Sequence, residues 1–480
     1  MSFSLDYAGA VPAEKKLSMK KEPDNRSSTC PDGAYSGSSR VERGSVTLPH
    51  ATTEASRPAE AISSDGNAEG WTASPASPAS PDRAFLFLQG PPGAFFRHLG
   101  REIKAHGARV LRINFNGGDQ HDWASAATCY RGRHAHWTLF IERFLRDQGI
   151  TDLVLFGDCR PLHMTAHRMA RLRGIRVHVF EEGYIRPNWL TLERNGVNGH
   201  SSLPRDPQTL LAEAEALELP PQMPAIVATL DRRIRDTTRY FSHSFIGKIT
   251  LQYPFYQSHR PGAIMVEGIG WIAKFASRAA AARRAATALR QIKGQRYFLF
   301  PLQLSSDYQI RSHSPFSSMR QAADHVLGSF ATHAPATSKL LIKAHPLDAK
   351  LGGWGSYVKA RARRLGLQDR LVHINGGDLQ TLAENSLGVV VVNSTSATFA
   401  LESGVPVMAL GRAVYAMPGI THQGLLDDFW TAPQAPDPAV YDAFRRVLHA
   451  RCLVRGGLAS ESATRILVRN AANRLLASGE

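Results

Sequence analysis

Short apolar runs separated by polar turns dominate the chain from residue 83 onward. Phe85-Leu86-Phe87-Leu88, Val110 to Phe115, Leu153 to Phe156 and Arg176 to Phe180 are each four to six residues long, the length of a buried strand. Between them, apolar residues recur at helical spacing over 95–106, 137–148 and 162–173. Strands alternating with helices predict a parallel, doubly wound sheet. The rhythm lapses over 205–295, where Ala- and Arg-rich stretches such as Ala279 to Arg290 predict helices. It resumes at Tyr297 to Phe300, Leu340 to Lys343, Leu371 to Ile374, Val389 to Val392 and Val407 to Leu410, which predict a second such sheet.

The expected organisation is a Ser/Pro/Ala-rich disordered tail over 1–82, a Rossmann-like domain over 83–204, a helical connection over 205–295, a second Rossmann-like domain over 296–435, and C-terminal helices over 436–480 that pack back on the first domain. The expected fold class is therefore α/β, with two Rossmann-like domains facing a cleft. That is the GT-B arrangement of one large glycosyltransferase class, and periplasmic-type binding proteins and some epimerases share it.

Composition narrows the partners. A formal charge of +16 points to anionic ones, yet no nucleic-acid signature accompanies it and the basic residues form no single stripe, so nucleic acid is not expected. No stretch approaches the ~20 apolar residues of a membrane span, and the N-terminus lacks a signal-peptide pattern. A cytoplasmic protein is expected. Cys30, Cys129, Cys159 and Cys452 are far apart without a CxxC pair, which argues against a disulfide scaffold and a zinc site. Gly268 to Phe275, with Trp271, Ile272 and Phe275 near Lys274, reads either as a bilayer-interface helix or as a core-facing one.

Candidate chemistry collects where predicted strands end, the place where open α/β sheets bind ligands. Lys343, His345 and Pro346 close one run, and Asn393, Ser394 and Thr395 close another. A cation, an imidazole and hydroxyls read as a phosphate site. Gln303 and Asp307 follow Tyr297 to Phe300. There Asp307 is either a nucleophile at an anomeric carbon or a helix N-cap. Glu181 and Glu182 follow the strand at 176–180, and mutual repulsion of neighbouring carboxylates suits one of them to proton transfer, unless Arg186 pairs with it. Glu182 leads as acceptor base, with Glu181 and Asp158 behind it. Gln89, Gly90 and Asn116, with Gly117 and Gly118, make turns on the first domain's side of the cleft. His422 and Gln423 read as a loop near the donor rim.

These stretches carry a family resemblance. Leu86 to Pro91, Val110 to Asp119, Phe156 to His163, Val179 to Pro187 and Asn198 to Ser202 resemble the KpsS/LipB-like capsular polysaccharide family, as do Gln303 to Asp307, Lys343 to Pro346, Asn393 to Thr395 and Thr421 to Gly424. The resemblance covers about 84–430. It implies a retaining β-Kdo glycosyltransferase of Gram-negative bacteria that moves Kdo from CMP-β-Kdo to a lyso-phosphatidylglycerol acceptor. The reaction would start the poly-Kdo linker of capsule at the cytoplasmic face of the inner membrane, beside other capsule biosynthesis and export proteins. By the related β-Kdo transferases, Gln303 and Asp307 match a Gln-x-x-x-Asp pattern whose acid is the nucleophile. Glu182 matches a Glu-Asp-Gly motif loosely, since Glu stands where Asp is usual. His345-Pro346 and Ser394-Thr395 match elements that hold the nucleotide phosphate. No cofactor and no metal are expected. Another nucleotide sugar, or a non-enzymatic export or assembly role in which the protein only binds the glycolipid, are the alternatives.

Overall fold

The computed structural model describes residues 82–185, 188–221, 226, 230–258, 278–304, 308–345 and 353–477. The expected tail up to Pro81, Arg186, the Gly268 to Phe275 segment, Asp307 and Pro346 lie outside the described residues.

Among the described residues there are twelve strands: β1 Ala84–Phe87, β2 Arg109–Asn114, β3 Thr128–Cys129, β4 Asp152–Phe156, β5 Arg176–Glu182, β6 Trp189–Arg194, β7 Tyr297–Pro301, β8 Lys339–Lys343, β9 Leu371–Ile374, β10 Val389–Val391, β11 Val407–Ala409 and β12 Leu453–Arg455. They form two sheets, ordered β12-β6-β5-β4-β1-β2-β3 and β11-β10-β7-β8-β9. The second is parallel throughout. In the first, β6 pairs antiparallel with β5 and with β12.

Side-chain alternation explains why both faces are covered. Phe85 and Phe87 of β1 meet helix Phe95–Ala105 and the C-terminal helix Glu461–Ala477, while Leu86 and Leu88 meet Trp137, Ile141 and Ala166 on the other face. Helix Phe95–Ala105 buries Phe95, Phe96, Leu99 and Ile103, one stripe at helical period. Each such side chain contributes roughly 1.5–3 kcal/mol of burial. The C-terminal helix does pack on the first sheet, and Arg83 ties it down by donating to the Leu476 carbonyl at 2.9 Å. Helix Pro438–Cys452 is started by Pro438 and by Asp437, whose carboxylate accepts from the Ala439 and Val440 amides. It packs on helix Pro207–Ala214, so the first domain's chain joins the second domain's core.

Three strands escaped the sequence pattern. β3 is two residues long; β6 and β12 are antiparallel and carry polar residues. Asn116 to Asp119 also differs from the expected turn. It opens helix Gly117–Trp123, with the Asn116 side chain accepting from the Asp119 amide at 2.9 Å. A Cβ on Gly117 would stand 2.2 Å from the His243 carbonyl oxygen, and one on Gly118 2.5 Å from that of Tyr240. These glycines admit helix Leu230–Ile249 rather than a ligand. Among the described residues Cys159 and Cys452 are free and buried. No described helix is long and apolar enough to cross a membrane.

Candidate active site at two switch points

In each sheet the strand order reverses beside its first strand. The reversal falls between β1 and β4 in one sheet and between β7 and β10 in the other. Loops at the carboxyl ends diverge there and leave a crevice.

In the second sheet the crevice is bridged by residues ninety positions apart. Buried Gln303 donates to Asn393 Oδ1 at 2.8 Å and accepts from the Asn393 amide at 3.1 Å. Asn393 Nδ2 donates to the Gln309 carbonyl at 3.0 Å. Lys343 ends β8 on the other side of β7, so two strand spacings, about 10 Å, separate it from Asn393. Burial lowers its pKa against the opposing effect of Asp378. His345 is half-buried just beyond. Ser394 accepts hydrogen bonds from the amide and hydroxyl of Ser396, and helix Ala397–Glu402 begins one residue later. The structure thus gathers Gln303, Lys343, His345, Asn393, Ser394 and Thr395 at the carboxyl ends of three neighbouring strands.

His422 and Gln423 are elsewhere. The His422 amide donates to the carbonyl of Val407, the first residue of β11, and its ring packs edge-on against Phe429. Val407 is paired with Val389, four residues before Asn393, or ~13 Å along the strand direction. Gln423 folds back on Thr421.

In the first sheet Gly157, in the left-handed region at φ 73°, turns the chain after β4 and sends Asp158 into the crevice. Arg160 donates to the carbonyls of Gln89 and Gly90 at 3.3 Å and so joins the ends of β4 and β1. Arg160 was not singled out from sequence beyond its place in the Phe156 to His163 stretch. Gln89 and Asn116 are both buried and engaged: each donates to the Tyr240 hydroxyl, Gln89 also to Tyr256, and Tyr240 donates to Asp119. They are a scaffold linking helix Leu230–Ile249 to the sheet, not groups open to a ligand.

The three carboxylates have separate fates. Burial would raise the pKa of Asp158, but His200 at 2.9 Å, Cys159 at 3.2 Å and the Val197 amide together hold it below the usual range. A carboxylate so stabilised is a weak base. Glu182 pairs with Arg233 at 2.6 Å and is about a third exposed. Glu181 is different. Burial and then the charge of Glu182 outweigh its hydrogen bond from the Glu182 amide and push it up to about 7. Gln309 donates to its free oxygen at 3.2 Å, across from the second domain. A carboxyl titrating near neutrality, reached by the residue that also touches Asn393, is the best-poised proton acceptor of the three. The sequence reading puts Glu182 first, whereas the buried carboxyl pushed toward neutrality is Glu181.

The domains also meet at His313, whose Nε2 lies 3.2 Å from Cys159 Sγ and whose ring stands edge-on to His200 at 4.7 Å. Asp158, Cys159, His200 and His313 bring four potential metal donors within 4.8 Å of one another. His200, His313 and Gln309 were not singled out from sequence. Gln309 carried a signal in standing two residues after Asp307, and His200 in belonging to the Asn198 to Ser202 stretch; His313 carried none, because its partners lie far away in the chain.

Comparison with known proteins adds a lineage. Residues 151–458 match the family described as capsule polysaccharide biosynthesis protein. The chain is 32% identical over 380 residues to the capsule polysaccharide export protein KpsS of Escherichia coli, covering 76% of this chain and 94% of that protein. It is 32% identical over 370 residues to the capsule polysaccharide modification protein LipB of Neisseria meningitidis serogroup A, covering 75% and 88% respectively. Among solved structures, the β-Kdo 2,7 transferase KpsC of Thermosulfurimonas dismutans is 15% identical, covering 80% of this chain and 99% of that one at a TM-score of 0.41. A UDP complex of MnaA from S. aureus is 9% identical, covering 82% and 92% at a TM-score of 0.26. With the family match spanning well over half its length and two relatives at this identity, the chain belongs to the capsule polysaccharide biosynthesis protein family, in its KpsS/LipB-like branch.

Proposed function

We propose that the protein is a retaining β-Kdo transferase that moves Kdo from CMP-β-Kdo to lyso-phosphatidylglycerol at a membrane surface. The observation that carries this reading is the hydrogen-bonded chain Gln303, Asn393, Gln309, Glu181, which joins the donor-side strand ends to a near-neutral carboxyl on the opposite sheet. In the first step Asp307 attacks the anomeric carbon, a carbon–oxygen bond to the enzyme forms, and CMP leaves with the bonding electrons. Lys343, His345 and the Ser394 and Thr395 hydroxyls offset the charge on the departing phosphate. In the second step Glu181 takes the proton of the acceptor hydroxyl, whose oxygen displaces Asp307. Two inversions give retention. The step as drawn calls on no metal or cofactor.

Membrane presentation of the acceptor has its own support. Phe245, Ile246, Ile249, Leu251 and Phe255 project from the end of helix Leu230–Ile249 and the turn after it, each at least 45% exposed. Leu251 holds a left-handed backbone at φ 57° while its apolar side chain is 73% exposed. Lys248 and Arg133 flank the patch, Arg133 lying over the Phe255 ring. Apolar tips among cations suit an anionic bilayer. Tyr256, one residue after Phe255, reaches Gln89 in the crevice wall.

Incubation of the protein with CMP-Kdo and lyso-phosphatidylglycerol is expected to add one Kdo mass to the lipid with release of CMP, and NMR should show a β linkage. Transfer from a UDP-sugar instead would replace the donor. Lipid binding without any donor turnover would favour an assembly role. Ile249→Glu with Leu251→Glu should depress transfer to vesicle-embedded acceptor while sparing detergent-dispersed acceptor.

Glu181→Gln is expected to lower kcat/KM by about 10²-fold. It should also remove a limb that rises with pH up to about 7, where Glu181 loses its proton. Glu182→Gln should keep that limb. The reverse assignment of the limb would return Glu182 to the role of base.

A further inference from the structure

We propose that Asp158, Cys159, His200 and His313 form a site for a divalent transition-metal ion of the zinc class, which ties the two domains together across the crevice. Their donor atoms all lie within 4.8 Å of one another. Cys159 Sγ is 3.2 Å from both His313 Nε2 and Asp158 Oδ1, and His200 Nδ1 is 2.9 Å from Asp158 Oδ2. Zinc bonds of about 2.0–2.3 Å in a tetrahedron set donor atoms roughly 3.3–3.8 Å apart. Outward shifts of a few tenths of an ångström at these three contacts, with closure of the wider-spaced donors, make room for an ion.

Charge and donor type agree with the geometry. One carboxylate, one thiolate and two neutral imidazoles balance a dication. Binding replaces the Cys159 S–H bond with a sulfur–metal bond and releases one proton to solvent. Two nitrogens, a sulfur and an oxygen select a borderline ion such as zinc over magnesium or calcium. Asp158, Cys159 and His313 are buried, while the His200 side chain is half exposed and gives the ion an entry path. With four protein donors no position remains open for an activated water, so the site is structural.

The placement gives the ion a mechanical role. Asp158 and Cys159 follow β4, His200 lies in the loop after β6, and His313 ends helix Tyr308–His313 of the second domain. Gln309, on that same helix one turn before His313, is the residue that reaches Glu181. An ion on His313 fixes the helix, and so the span between Glu181 and Asn393. Sequence spacing could not show this, since the donors come from three separate segments and two domains. The four donors are not groups assigned to sugar transfer, and the readouts do not use that reaction.

The test uses full-length protein purified without chelator or metal-affinity resin. Elemental mass spectrometry is expected to find one zinc per chain. Cobalt added to metal-stripped protein should give tetrahedral visible bands and a thiolate-to-cobalt charge-transfer band. Cys159→Ser should lose the charge-transfer band, and His313→Ala should weaken zinc binding about 100-fold or more, with far-UV circular dichroism confirming that each variant folds. If either variant fails to fold, zinc protection of Cys159 against alkylation in the wild-type chain, mapped by peptide mass, replaces it. No charge-transfer band, an unchanged band in Cys159→Ser, or no protection of Cys159 would overturn the proposal and leave these residues a hydrogen-bonded cluster only.

Discussion

Asp307→Ala is expected to reduce turnover of CMP-Kdo by roughly four orders of magnitude or more, the scale on which loss of a covalent nucleophile acts. CMP binding, measured by calorimetry, should survive, because the phosphate-facing groups assigned here are on other strand ends. Asp307 stands four residues after Gln303 and two before Gln309. Those two are linked through Asn393, and Gln309 contacts Glu181. The residues that bracket Asp307 in sequence, Gln303 and Gln309, thus both belong to the crevice network. An N-cap role for Asp307 predicts a different outcome: about 1 kcal/mol of lost stability and near-normal turnover. CMP release within tenfold of wild type would exclude the covalent route through this residue.

Asp152→Ala is expected to cost about 3–5 kcal/mol in chemical denaturation, without touching the crevice. Asp152 is fully buried at the start of β4, the end of the sheet opposite the site. Arg83 pairs with it at 2.7 Å, Arg176 at 2.9 Å and His178 at 2.8 Å. Burial alone would raise its pKa, but hydrogen bonds from His178, Arg176 and Arg83 outweigh burial and hold it far below the carboxylate range. Burial also disfavours charge on His178 and lowers its pKa. Removing the carboxylate leaves buried Arg83 without its counter-ion and loosens the C-terminal helix that Arg83 caps through Leu476. The sign in pH follows from the direction of the shift. A carboxylate with a depressed folded pKa contributes stability fully above its unfolded value of about 3.9. That contribution should fade as pH falls from about 5 toward the folded value. The acid limb of the stability curve should accordingly flatten in Asp152→Ala; a limb as steep as wild type would move the effect to another group.

Much of the fold was legible. Strands buried on both faces read as continuous apolar runs, and the predicted segments of both sheets fall within one or two residues of β1, β2, β4, β5 and β7 to β11. What escaped was the strand whose identity depends on a partner. β6 reads Trp-Leu-Thr-Leu-Glu-Arg and is a strand because β5 and β12 flank it; β12 has three residues and exists only as its edge. The Gly117-Gly118 pair was read as a turn for the same reason, since the helix that lies 2.2 Å from a notional Cβ comes from residues more than 120 positions later.

The candidate site divides along the same line. By itself the sequence determined which residues stand at strand ends, because local apolar period fixes where a strand stops, and it determined the family through its motifs. Only the tertiary structure decided which of those residues meet. It set Gln303 on Asn393, moved His422 away, enclosed Gln89 and Asn116, and separated two adjacent carboxylates by giving Glu182 an arginine and Glu181 a buried contact from the other domain. A pKa depends on burial and on charges a few ångströms away, and both are set by chain segments that local sequence does not contain.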